Sequence, residues 1–251
     1  MKFKAGWTIA ILLLLACENG AGPLGSNVQV SFATRSSSAS PPAAAGLDGS
    51  TPASDTIRDG TNVLVITKAE IVLREIEFER QEAGNCDANP AACEDVELGP
   101  VLVDLPLTPG AVQRFQVDLP QGTYVEVEFE IHKVSDDDPA DAVFRQQHPD
   151  FIDKSIRVQG TFNGQAFVFE TDLNVDQELD LVPPLVIGEG VSGTNVTIFV
   201  SLADWFKGPD GKLLDPATGN KGQPNESLIK NNIQRSMEAF EDRDGDGRRG
   251  S

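Results

Sequence analysis

The chain has 251 residues, of which 39 are acidic and 20 are Lys or Arg, so its formal net charge is −19 at neutral pH. A surface of this sign repels nucleic acid and anionic lipid, and it favours cations or basic partners. Nucleic-acid binding is therefore not expected. The length suits one sizeable domain or two small ones, and the organisation of the chain favours one.

The first 16 residues have the layout of a signal peptide. Lys2 and Lys4 carry its only charges, an apolar run follows from Ile9 to Leu15, and Ala16 is a small residue at the expected cleavage point. The apolar stretch is shorter than the roughly 20 residues that a membrane-spanning helix needs. We expect this leader to be removed, which takes the formal net charge from −19 to −21.

Directly after the apolar run, Leu14-Leu15-Ala16-Cys17 resembles the lipobox of bacterial lipoproteins. The resemblance implies that Cys17 is acylated and becomes the new N-terminus, so that lipid tethers the protein to a membrane without a spanning helix. Glu18 follows where an Asp would, in many such lipoproteins, signal retention at the inner membrane. The expected location is therefore the cell envelope, at the outer membrane, on its periplasmic or surface face. The alternative is an ordinary signal peptide with an incidental cysteine.

Cys86 and Cys93 flank a short loop that contains Asn, Pro and Ala. An even number of cysteines at short spacing in an exported protein predicts a disulfide, here one that closes a small loop. A metal site would need further soft ligands nearby, and His132 and His148 lie far off in the sequence.

Composition divides the chain into four segments. They are a lipoprotein signal peptide (1–16), a lipidated N-terminus with one short strand and a disordered Ser-, Ala- and Pro-rich stretch (17–60), a β-sandwich domain (61–206), and a helix with an acidic Asp/Gly tail (207–251). The Ser-rich stretch contains too little apolar surface to offset its ordering entropy. If the short strand at 27–34 pairs with the β-domain, that stretch is a loop within the domain; otherwise it belongs to a tether.

Alternation of apolar and polar residues predicts about eight strands. They cover 27–34, 63–79, 101–105, 112–119, 124–132, 156–162, 165–171 and 195–202. The clearest is 124–132, where apolar residues face one way and Glu126, Glu128 and Glu130 face the other. Asn163-Gly164 between two alternating runs predicts a type I′ hairpin, because both residues tolerate positive φ. This number of strands, with turn residues between them, predicts a sandwich or a barrel.

The strand predicted at 63–79 changes phase along its length. Ala69, Ile71 and Leu73 alternate on one face, but Ile76 and Phe78 fall on the other parity. A slip of one residue would turn the buried face to water unless a β-bulge or a bend absorbs it. Helical periodicity also fits part of this segment, but its β-branched content favours a strand.

The run ITKAEIVLREIE at 66–77, followed by the Leu-Pro-Gln-Gly-Thr-Tyr turn at 119–124 and its Glu-alternating strand, is similar to uncharacterised bacterial lipoproteins. Those proteins carry a domain of unknown function, and the similarity covers about residues 62–206. The resemblance implies an all-β fold, an antiparallel β-sandwich of Greek-key, transthyretin-like or immunoglobulin-like type, here with a short C-terminal α-helix. Its motifs are structural, so it implies no active site.

The C-terminal segment changes character. Between Glu226 and Glu241, apolar side chains at helical spacing form one stripe, and Asn225 is placed to cap the helix. The stripe consists of Ile229, Ile233, Met237 and Phe240. We expect it to dock on the sandwich, and a helix that binds a partner is the alternative.

Asp242, Asp244 and Asp246, with Gly247, match the first six positions of a calcium-binding loop. The bidentate Glu expected at position 12 does not follow, so we expect weak calcium binding or a solvated acidic tail. No other cofactor is expected. A second acidic loop, Asp136 to Asp138 with Asp141, is expected to be solvated.

Two isolated histidines and no free thiol offer little material for catalysis, so we expect no enzymatic activity. The leading hypothesis is a membrane-anchored lipoprotein whose β-sandwich contributes binding or envelope structure, with an unidentified protein or glycan partner. The first alternative is a calcium-assisted adhesion or carbohydrate-binding module, in which Trp205 or Tyr124 would stack on sugar. The second is a periplasmic hydrolase. His132, on the glutamate face of its strand, is expected to face solvent.

Overall fold

A computed structural model describes residues 26–34, 53–81, 95–108, 113–135, 138–188 and 195–241. Two sheets contribute to one hydrophobic core, which confirms the predicted all-β sandwich with a short helix. The strands are β1 (Ser26–Thr34), β2 (Asp55–Arg58), β3 (Val63–Arg80), β4 (Val96–Leu98), β5 (Val101–Asp104), β6 (Gln113–Leu119), β7 (Gly122–Ile131), β8 (Ile156–Phe162), β9 (Gln165–Thr171), β10 (Val175–Ile187), β11 (Asn195–Val200) and β12 (Met237–Glu241). The helices are α1 (Ala142–Gln147), α2 (Leu202–Trp205) and α3 (Glu226–Gln234), with 3-10 turns at Pro139–Asp141, Pro149–Phe151 and Pro216–Gly219.

The smaller sheet has four strands in the order β12-β11-β1-β6. β1 lies in its interior, and its alternating side chains Val28, Val30 and Phe32 are buried in the core. The short N-terminal strand therefore pairs with strands of the β-domain. β1 and β11 run parallel, a departure from the antiparallel sandwich that the sequence predicts. A parallel pair is accessible here because a long stretch of chain connects the two strands.

The larger sheet has eight strands and is organised around β3. β10, β7, β3, β8 and β9 lie side by side, and β2, β4 and β5 also pair with β3. The 18 residues of β3 give it room for all of these neighbours. The β8–β9 hairpin is turned by Asn163 and Gly164, whose φ angles of 51° and 80° agree with the predicted turn.

The register of β3 explains its change of phase. The pairing with β7 shifts by one residue between Leu73 and Glu75, at the position where the sequence pattern slips. The side chains of Leu73 and Ile76 therefore both reach the core. A second shift, against β8, lies between Ile66 and Lys68. The register shift confirms that a local irregularity absorbs the slip, and the helical alternative is wrong for this segment.

Two large aromatic side chains anchor the core. Tyr124 and Trp205 are fully buried, and each polar tip has a partner. The Tyr124 hydroxyl donates to the carbonyl of Pro120 at 2.8 Å, and Trp205 Nε1 donates to Ser236 Oγ at 2.7 Å. Burying a ring of this size contributes roughly 1.5–3 kcal/mol, and its hydrogen bond avoids the cost of an unpaired donor.

The C-terminal helix is shorter than predicted. α3 ends at Gln234, and Met237 begins β12, which pairs with β11. The helical prediction for 237–241 is wrong because an apolar residue such as Met237 also suits a strand, and pairing with β11 satisfies the backbone there. Ile229 and Ile233 are buried in the main core, so the helical half of the stripe does dock on the sandwich. Asn225 occupies the N-cap position, but its side chain donates to Thr218 Oγ1 instead of capping the helix.

Candidate functional site

The outward face of the larger sheet carries carboxylates in three cross-strand rows. The register places each of them directly opposite another on a neighbouring strand. The middle row is Glu97, Glu77, Glu128 and Glu178, and the flanking rows are Glu75, Glu130 and Asp176, and Glu79, Glu126 and Asp180. These residues of β4, β3, β7 and β10 are called the acidic face below.

Local sequence explains why these acids face outward. In β7 they alternate with apolar residues and in β10 with buried or half-buried ones, which is the two-residue period of a half-buried strand. In β3 the register shift after Leu73 puts Glu75 and Glu77 outside while Ile76 points into the core. Without that shift the glutamates of β3 would point inward, since a slip of one residue exchanges the two faces.

The pKa values of several carboxyls on the acidic face are raised. Partial burial is the larger cause for Glu77 and Glu128, and neighbouring carboxylates add to it. The same two causes raise the pKa of Glu75 and of Glu126. Like charges directly opposite each other destabilise a sheet by up to roughly 1 kcal/mol per pair. A bound cation would relieve that repulsion.

Arg74 is a cation at the border of the acidic face. Its guanidinium lies 3.6 Å from a carboxylate oxygen of Glu130. His132 contacts both residues, because its Nδ1 is 3.5 Å from Arg74 Nη1 and 3.7 Å from Glu130 Oε1. His132 is half-buried in this network, to the same degree as the outward-facing Glu130, so it faces solvent only in part.

Arg74 also binds two members of the acidic loop that was expected to be solvated. Its Nη2 donates to Asp138 Oδ2 at 2.9 Å, and its Nε lies 3.5 Å from Asp141 Oδ2. Asp141 is buried and accepts a further hydrogen bond from the backbone N–H of Ser135 at 2.6 Å. Solvation is therefore wrong for Asp141, which holds this segment to β3. Asp136 and Asp137 lie outside the described residues.

The acidic face is concave where β3, β7 and β10 meet. A cavity of about 310 Å³ opens there, at the small end of the range for ligand sites. It is lined by Glu75, Glu77, Glu128, Phe129, Glu130 and Asp176. Because acids dominate this lining, the cavity suits positively charged groups.

Beside the acidic face, the outward side of β3 is covered by residues 132–135 and 138–155. Val134, Phe144 and Phe151 of this segment pack on Val72 of β3 as a second, small core. Val72 points to the outward side of β3, and this cover explains why an apolar residue is found there. The acidic face begins where this cover ends, at Arg74.

The buried carboxylate of Glu70 belongs to a structural ion network. Arg157 donates to Glu70 Oε2 through Nε at 2.8 Å and lies 2.7 Å away through Nη2, and Lys68 Nζ is 2.7 Å from Oε1. The Arg157 guanidinium also pairs with Asp150 at 2.7 Å and lies 4.4 Å from the centre of the Phe151 ring. Since its charges are matched, this network fixes the 3-10 turn to β3 and is not a candidate site.

The residues singled out as sites from the sequence alone mostly lie outside the described residues. These are Cys17, Cys86, Cys93, Asp242, Asp244 and Asp246, so lipidation, the disulfide and the calcium loop stay predictions. Tyr124 and Trp205 are fully buried, so the expectation that either could stack on sugar is wrong. In the part of the chain that the structure describes, no three His, Cys, Asp or Glu side chains are grouped to hold a metal ion.

Of the acidic face, only the glutamates of β7 were predicted from the sequence to share an outward side. The acids of β10 and of the second half of β3 show the same alternation. That alternation could have indicated an anionic sheet face in three strands, although not which acids stand opposite each other.

Among the described helices, none is long and apolar enough to cross a membrane. No protein-family model, no curated protein and no solved structure matches the chain.

Proposed function

We propose that this protein is a lipid-anchored, non-enzymatic β-sandwich module of the cell envelope, and that its acidic face binds a cationic partner. The observation that supports binding is the cross-strand register, which places Glu128 directly between Glu77 and Glu178. A sheet surface needs no such opposed charges for folding, because they oppose it.

The shape of the charge distribution suits an extended partner better than a single ion. Each cross-strand row has carboxylates on strands about 4.8 Å apart, and successive rows are two residues, or about 6.6 Å, apart along the strands. A protein segment with several Lys or Arg residues can contact more than one row at once. Complementary charge also accelerates encounter, so the association should be fast and should weaken with salt.

The proposed anchor rests on the N-terminal sequence. The Lys-containing leader, the apolar run and the lipobox-like Leu14 to Cys17 together support acylation. Mass spectrometry of the protein purified from its native membrane tests this, and a mass that includes acyl chains on Cys17 is expected. An intact leader or an unmodified thiol would overturn the anchor but not the binding proposal.

Binding can be tested with a synthetic oligolysine and the full chain in lipid nanodiscs. Calorimetry at low salt should show binding that weakens as salt is raised. The triple substitution Glu77→Gln, Glu128→Gln and Glu178→Gln should weaken it by about tenfold, since each exposed ion pair contributes roughly 0.2–1 kcal/mol. Glu170→Gln is the control, because Glu170 is paired with Lys154 at 3.1 Å and lies on β9. Equal weakening by the control would contradict the proposal, as would no binding to the wild type.

A further inference from the structure

The outward side of the edge strand β10 is anionic in its first half and apolar in its second. Its residues alternate strictly between exposed even positions and buried or half-buried odd ones, apart from the exposed Pro183. The outward row reads Asp176, Glu178, Asp180, Val182, Pro184 and Val186. Val182 is 78% exposed and Val186 is 61% exposed, so both present apolar surface to solvent.

The apolar half of this row continues the acidic face. Asp180 stands opposite Glu126 in the last acidic row, and Val186 stands opposite Thr123 further along β7. Between these two pairs the register shifts, because at one point β10 advances five residues where β7 advances two, so Val182 and Pro184 lie in an irregular stretch between the acidic rows and Val186. Both valines are exposed and lie beyond the end of the acidic rows. We call Val182, Pro184 and Val186 the apolar ledge.

Pairing with a further strand does not account for the apolar ledge. β10 is at the edge of its sheet, but Pro183 and Pro184 have no backbone N–H to donate to an added strand. Proline at an edge strand protects against such pairing. The ledge therefore presents apolar side chains to a partner and not backbone groups for strand pairing, so it suits an apolar surface.

We infer that the cationic partner is an amphipathic protein segment in which a block of Lys or Arg residues adjoins a block of apolar residues. The inference rests on the proposed function, since the basic block is the part that contacts the acidic face. Asp176 to Asp180 extend for about 13 Å at 3.3 Å per residue, which matches a basic block of roughly four or five extended residues. The apolar block then covers Val182 and Val186.

Two synthetic peptides separate the two halves of this surface. One has five lysines followed by three serines, and the other has five lysines followed by three valines. Each is titrated into the full chain in zwitterionic nanodiscs, and empty nanodiscs correct for binding to lipid. The matched variant is Val182→Ser with Val186→Ser, and both positions are exposed enough for the fold to tolerate serine.

The wild type should bind the valine peptide about tenfold more tightly than the serine peptide, because burying apolar surface on both sides adds to the charge contacts. The double variant should bind both peptides equally, with its affinity for the serine peptide unchanged. Equal affinity of the wild type for the two peptides would overturn the amphipathic partner and leave the proposed function standing. Failure to bind either peptide would overturn both.

Discussion

Replacing Glu128 by Gln should stabilise the protein at neutral pH. Glu128 stands opposite two carboxylates, Glu77 and Glu178, whereas Glu97 at the end of the same row stands opposite one. An opposed pair of like charges costs roughly 0.2–1 kcal/mol. Relieving two pairs should raise the free energy of unfolding by about 1 kcal/mol. Glu97→Gln relieves a single pair and should give about half of that.

Urea unfolding of the full chain at low salt measures this gain, and the thermal midpoint should rise by roughly 2–4 °C. The gain should shrink at about 1 M salt, where the screening length falls to roughly 3 Å. Glu170→Gln is again the control, since it removes a charge that is paired with Lys154. The reasoning is refuted if Glu128→Gln is no more stable than the wild type at low salt, or if the control gains as much.

The raised pKa values of Glu77 and Glu128 determine how the stability of the protein depends on pH. The folded chain holds the protons of Glu77 and Glu128 more tightly than the unfolded chain does, so unfolding releases protons. Stability should therefore fall as the pH rises from the ordinary Glu pKa of about 4.3 through the raised values. At more acid pH the trend reverses, because Lys221 and Lys230 hold the pKa of Asp172 well below its usual range. Protonating Asp172 then costs stability. The gain from Glu128→Gln should vanish near pH 4.

Four further substitutions test the packing of the larger sheet, the first three by urea unfolding. Glu70→Ala should destabilise by about 3 kcal/mol or more, because it leaves the half-buried Arg157 without its main partner. Gly160→Ala should be severely destabilising, since the new Cβ would lie 1.9 Å from a backbone carbonyl oxygen of β3, whereas Gly164→Ala meets no neighbour within 4 Å and should cost only about 1 kcal/mol for its positive φ. The Asn220 side chain accepts a hydrogen bond from the backbone N–H of Glu170 at 2.8 Å and donates one to the carbonyl of Val168 at 3.0 Å, so it covers the edge of β9. Asn220→Ala should expose this edge and promote self-association, which analytical ultracentrifugation would detect.

Parts of the fold that depend on local chemistry could be predicted from the sequence. Asn163-Gly164 specifies its hairpin because few other pairs adopt positive φ at both positions. The irregularity after Leu73 could be placed because the apolar residues change parity there. Without it, one half of the strand would turn its apolar side chains to water. In both cases the deciding information lies within a few residues.

Parts that depend on distant partners could not be predicted. Met237 fits a helical stripe as well as a strand, and the choice is made by β11, some 40 residues earlier in the sequence. The interior position of β1 depends on β6 and β11, which are still further away along the chain. Propensity is a weak guide where pairing with a distant strand satisfies the backbone.

The acidic face was predictable in composition but not in arrangement. Alternation shows that Glu126, Glu128 and Glu130 share one side of β7, and it does so without a structure. It does not show that Glu77 and Glu178 flank Glu128, because cross-strand register is set by the turns and bulges of three separate strands. Carboxylates on neighbouring strands, both opposite and diagonal, raise the pKa values beyond the effect of burial.

The bulge in β3 connects the fold to the proposed function. The sheet needs Leu73 and Ile76 in the core, and a regular strand cannot put both there. The register shift that resolves this conflict also turns Glu75 and Glu77 outward, toward the acids of β7. Arg74, at the shift, pairs with Glu130 and with the segment that covers the rest of β3. One backbone irregularity thus sets where the cover ends and where the open, negatively charged surface begins, so a partner selected by charge would be directed to that end of the sheet.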